Sequence, residues 1–82
     1  MRVQIEMVRF ERDFYCGLGL SGVDTIGEVY KGPYRPGAVE LAVVLIEEVS
    51  DAGYEWQLIG NESLCEDVRR DLTPDQREGE MR

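Results

Sequence analysis

Carboxylates are the side chains with most chemistry to offer in this 82-residue chain. Seventeen aspartates and glutamates stand against nine lysines and arginines, and there is no histidine. Acids can work as paired general acid and base, as oxygen ligands for calcium or magnesium, or as substitutes for phosphate opposite arginine and lysine. The missing histidine removes the commonest general base, the Ser-His and Cys-His nucleophile pairs and the usual zinc site. The acids crowd two places: Glu40, Glu47, Glu48 and Asp51, and then Glu62, Glu66 and Asp67. Neither group has the spacing of a calcium-binding helix–loop–helix. No metal, cofactor or catalytic residue is therefore expected, and the chain reads as a non-enzyme.

Two short motifs invite a catalytic reading and fail on context. Gly17-Leu18-Gly19-Leu20-Ser21-Gly22 matches the G-x-G-x-x-G of dinucleotide sites, which needs a helix directly after it. Residues 23–30 read as a strand, so a glycine-rich hairpin is the expectation. Residues 26–32 resemble the second strand of a protein-kinase glycine-rich loop. The lysine on the next strand, the catalytic loop and the Asp-Phe-Gly that must accompany it are absent, so the match is coincidence. Cys16 and Cys65 are expected as free, buried thiols.

The elements that must position the acids can be read from periodicity. Val3, Ile5 and Met7 alternate with Arg2, Gln4 and Glu6, which is a half-buried strand. Val8 and Phe10 fall out of phase, and a bulge at Met7–Val8 would absorb the slip. After a polar turn at Glu11-Arg12-Asp13, Phe14, Cys16, Leu18 and Leu20 share one face of a second strand, with Gly17 and Gly19 opposite. Ser21, Gly22 and Asp24 mark the next turn, and residues 25–31 form a third strand.

A loop over residues 32–37 leads to Pro36, which opens a helix that Gly53 closes. Ala38, Leu41, Ala42, Leu45, Val49 and Ala52 face the core on that reading, and Glu40, Glu47, Glu48 and Asp51 face out. Tyr54, Trp56 and Leu58 alternate as a fourth strand, with Trp56 the core anchor. Ser63-Leu64-Cys65-Glu66 reads as a capping box opening a second helix, with Leu64, Val68 and Leu72 on its buried face. The predicted fold is one α+β domain over residues 1–72. Its four-stranded, mostly antiparallel sheet has βββαβα order, one main helix packed on one face and a short C-terminal helix. Residues 73–82 are expected to fray as an acidic tail.

Charge is unevenly spread along these elements. Residues 1–39 carry five acidic and five basic side chains, whereas residues 40–82 carry twelve and four, which accounts for the net −8. Acids in the first turn of the second helix suit the helix dipole, but those at the end of the first oppose it and call for another use. Val43 and Val44 lie among the latter on a helical wheel, as apolar side chains do on partner-binding faces. The longest apolar run, residues 41–46, is too short to span a membrane. Residues 1–10 lack a signal peptide's apolar stretch, so a cytoplasmic location is expected.

These features predict a non-enzymatic binding protein. Its partner-binding residues would be Glu40, Val43, Val44, Glu47, Glu48, Asp51, Glu62, Glu66 and Asp67. The partner would be a basic protein surface, such as that of a nuclease or other nucleic-acid-binding complex, while nucleic acid and membrane themselves are repelled. Small acidic inhibitors from phages and mobile elements offer a class analogy. The alternative is a homodimeric structural or regulatory subunit whose acidity serves solubility.

Overall fold

Alternation places the first strand at the centre of the molecule. The computed structural model describes residues 2–20, 22 and 26–81. Strand β1 (Arg2–Phe10) turns tightly at Glu11-Arg12 into β2 (Asp13–Leu20), with Phe10 paired to Asp13 and Val3 to Leu20. Glu11 takes φ +58, the left-handed setting such a two-residue turn uses. Strand β3 (Gly27–Gly32) runs antiparallel to β2. Helix α1 (Arg35–Asp51) then crosses the sheet, and β4 (Glu55–Gly60) returns parallel to β1 on its other side. The strand order is β3-β2-β1-β4, an α+β arrangement with a mixed sheet. Helix α2 (Glu62–Asp71) and the five-residue α3 (Pro74–Glu78) follow.

One face of the sheet is covered and the other is open. Val3, Ile5 and Met7 from β1, Cys16 from β2, and Trp56 and Leu58 from β4 are buried beneath Ala38, Val39, Ala42 and Ile46 of α1. Leu64, Cys65 and Val68 of α2 and the following Leu72 complete this core. The expected bulge at Met7–Val8 is not there, since β1 pairs with β2 without interruption. Val8 and Phe10 are out of phase because they belong to the open face, where strict alternation puts them. The register shift lies opposite Cys16/Gly17 instead, where Val29 of β3 is the extra residue.

Helix α1 is set at a different rotation from the one expected. Val39 and Ile46 point inward with Ala38 and Ala42. Leu45 and Val49 are only partly buried, and Ala52 is the exposed C-cap. The two alanines let the helix axis lie close to the sheet, so the larger residues beside them fill the space on either side. Its start has no side-chain cap. The Tyr30 hydroxyl donates to the Tyr34 carbonyl at 3.1 Å, and its ring lies so close to Gly37 that an added Cβ would come within 2.6 Å of the hydroxyl oxygen. At the other end Gly53, at φ +83, donates to the Ser50 carbonyl and lets the chain turn back into β4.

Two expectations about the C-terminal third are corrected. Helix α2 is capped by Asn61, whose Oδ1 accepts from the Leu64 N–H at 3.0 Å, and not by Ser63. Ser63 Oγ instead accepts from Arg35. The segment expected to fray is docked. Thr73 and Gln76 form a reciprocal capping box on α3, and the Met81 N–H donates to the Trp56 carbonyl at 2.8 Å. Glu80 bridges to Trp56 in the sheet's parallel sense, so this segment blunts the outer edge of β4. The outer edge of β3 has no such cover among the described residues. The turn expected at Ser21 and Asp24 and the strand start at Thr25 lie outside the described residues; Gly22 is in a turn.

Both cysteines are buried and free. Burial pushes the Cys16 thiol from its ordinary 9.0 up to about 11 and raises Cys65 as well. The unfolded chain thus gives up the Cys16 proton near pH 9 while the folded chain holds it, so stability present below pH 9 is lost as pH climbs toward 11. At about 1.4 kcal/mol per pH unit the loss from Cys16 reaches up to about 3 kcal/mol. Urea midpoints measured across this range should fall, and fall less steeply in Cys16→Ala. Identical slopes in the two proteins would refute the assignment.

Candidate interaction surfaces

The acidic residues singled out from the sequence separate into two electrostatic classes. On α1, Glu40, Val44, Glu47, Glu48 and Asp51 recur at helical spacing and are all exposed. Val44 is 45% exposed in the middle of this stripe. Val43 is half-buried and packs against the core, because the helix rotation that buries Val39 and Ile46 carries it inward. Among the described residues none of Glu40, Glu47, Glu48 and Asp51 forms an ion pair.

Helix α1 also carries its charge against its own dipole. Its first turn has no acid and begins with Arg35, and its last turn has no base. Glu47, Glu48 and Asp51 therefore sit at the helix end where the dipole already concentrates negative potential. They gain nothing locally from being there.

The acids of α2 are placed in the opposite way. Glu62 occupies the first turn, and Arg69 and Arg70 the last, which matches the dipole. Asp67 is gripped by two arginines. Arg35 Nε donates to its Oδ2 at 2.9 Å, and Arg70 Nη1 lies 3.2 Å from Oδ1. Glu66 pairs with Arg69 at 3.2 Å, and the Arg69 guanidinium also forks onto both oxygens of Glu80 at 2.8–3.2 Å. Glu80 is only 3% exposed, and its hydrogen bonds hold Arg69 charged well beyond the ordinary range. Asp67 and Glu66 thus bind the molecule together, leaving Glu62 solvent-facing.

The structure brings Glu40 and Asp67 to one cleft of about 230 Å³ between α1 and α2, shared with Arg35, Arg70 and Asp71. Its two arginines stand against three carboxylates, so most of its charge is offset within the cleft. Among the described residues no three acids or thiols converge as a metal site requires, and no helix is long and apolar enough to cross a membrane.

Sequence reasoning missed a second surface, on the open face of the sheet. Phe10 is 61% exposed there, beside Val8, Tyr15 and Ile26. The signal was present as the change of phase at Val8, which two-sided apolar strands and bulged strands share. No family model matches the chain, and neither does any curated protein or solved structure.

The two classes of acid predict opposite stability changes. Glu48→Gln and Asp51→Asn should each stabilise the protein by about 0.3–1 kcal/mol, and Glu62→Gln should destabilise it by a similar amount. Chemical denaturation of the three variants checks this. A loss of stability on neutralising Asp51 would mean that the α1 acids serve the fold.

Proposed function

We propose that this chain is a non-enzymatic binding protein that uses the outer stripe of α1 against a basic surface on another protein. The observation that carries the reading is the set Glu40, Glu47, Glu48 and Asp51, without ion pairs among the described residues, around the exposed Val44, with Glu47, Glu48 and Asp51 at the dipole end that disfavours them. An apolar centre ringed by carboxylates is complementary to an apolar patch ringed by arginine and lysine. Proteins that handle nucleic acids present such surfaces, and the carboxylates would stand in for phosphates there. Occupying such a surface inhibits its owner by charge mimicry or steric block.

Within this reading α1 is the contact and α2 is its support. Arg35 ties the start of α1 to Asp67, so the helix that presents the stripe is anchored to α2 at its first turn. The second reading is a homodimer, favoured by the uncovered outer edge of β3, where Val29 is 42% exposed. Salt separates the two, since screening shortens from about 10 Å at 0.1 M to about 3 Å at 1 M and weakens charge-driven contacts first.

The test is capture from a host lysate by the immobilised protein and by a Glu47→Lys, Asp51→Lys double variant, at low and high salt. A basic nucleic-acid-handling protein should be retained by the wild type at low salt. It should be lost both at high salt and from the variant. Retention by the variant would remove α1 from the interface, and self-association that persists in high salt would favour the dimer.

A further inference from the structure

Gly17 and Gly19 leave the middle of the open sheet face without side chains, between two rows that have them. Glu6 and Val8 of β1 stand on one side of this trench. Ile26 and Glu28, in and just before β3, stand on the other, with Tyr15 and Phe10 at one end. The enclosed volume is about 300 Å³, near the lower limit for sites that hold a small ligand. Ile26 leans over the floor, since a Cβ added to Gly17 would lie 2.6 Å from its Cγ2. The walls are apolar, but the two side chains that flank Gly17 in register, Glu6 and Glu28, are carboxylates. Neither forms an ion pair among the described residues. The nearest lysine in register, Lys31, lies over the Tyr15 ring, 5.5 Å from its centroid, and does not line the trench.

We propose that this trench is a docking site for a segment of a partner protein that presents an arginine beside a bulky apolar residue. The apolar residue would cover Val8, Ile26 and the ring of Phe10. The guanidinium would lie between Glu6 and Glu28, where its forked donors can serve two carboxylates at once. Charge complementarity selects this occupant over the others. A second copy of this chain would bring a net charge of −8 and two more carboxylates to the same place, and an anionic ligand would meet the same repulsion. The trench is on the opposite side of the sheet from α1, so the site is independent of the stripe on that helix.

The probe is the dipeptide N-acetyl-leucyl-arginine amide, titrated into the isotope-labelled full chain while backbone amide resonances are followed. The isosteric neutral peptide with citrulline in place of arginine is the control. Saturable shifts should centre on Val8, Gly17 and Glu28, and the citrulline peptide should bind about two- to fivefold more weakly, as loss of a surface ion pair implies. A Glu6→Gln, Glu28→Gln variant should bind the arginine peptide more weakly by about the same factor and keep the dispersed spectrum of the folded chain. Non-saturating shifts, shifts centred on α1, or equal affinity for the two peptides or the two proteins would each overturn the proposal.

Discussion

β1 is hydrogen-bonded on both sides, antiparallel to β2 and parallel to β4, and its Val3, Ile5 and Met7 form the floor on which α1 and α2 rest. The parallel pairing forces the chain to cross from one edge of the sheet to the other between β3 and β4, and α1 is that crossing. The helices α1 and α2 both pack on one face of the sheet. The core therefore forms on the odd-numbered side of β1, and whatever stands on its even-numbered side meets solvent. The division into a helical layer and an open sheet face follows from that constraint, and both surfaces argued above follow from the division.

The helical layer stabilises itself by pairing its charges unevenly. Arg35 holds Asp67 across the helix pair, and Arg69 holds Glu66 together with the nearly buried Glu80. Removing Arg69 would take its charge-assisted hydrogen bonds from the Glu80 carboxylate, and breaking such a pair costs more than the pair contributes. The acids outside these contacts include those on the outer stripe of α1. A negative net charge is thus compatible with a well-tied structure because the unpaired acids stand in water, where their mutual repulsion is screened.

The sequence made elements legible where one face alone was apolar, as at Val3, Ile5 and Met7 in β1 or at Leu64 and Val68 in α2 with the following Leu72. It was ambiguous where both faces carried apolar residues. Val8 and Phe10 fit a bulge and a two-sided strand equally well. The helix from Arg35 to Asp51 has Val39, Leu41, Val43, Val44, Leu45, Ile46 and Val49 spread around it, so its wheel could not fix its rotation. Proximity of Ala38 and Ala42 to the sheet decided that. Dipole reasoning separated the two groups of acids correctly by position, but their pairing was illegible. Arg35 reaches Asp67 from 32 residues away, and Glu80 reaches Arg69 from 11. The docked tail was missed for the same reason: the Glu80 carboxylate and the Met81 N–H help hold it, and no apolar stripe announces it.

The blunted edge of β4 also bears on how sheets of this kind can grow. A four-stranded sheet with two bare edges can add copies at both, and repeated addition builds an open-ended fibre. Here the segment carrying Glu80 and Met81 occupies one edge at Trp56. Strand addition at β3 alone joins two sheets edge to edge and then stops, because each copy has spent its one free edge. A few residues after the last helix thus set a ceiling on polymerisation that the rest of the fold does not provide.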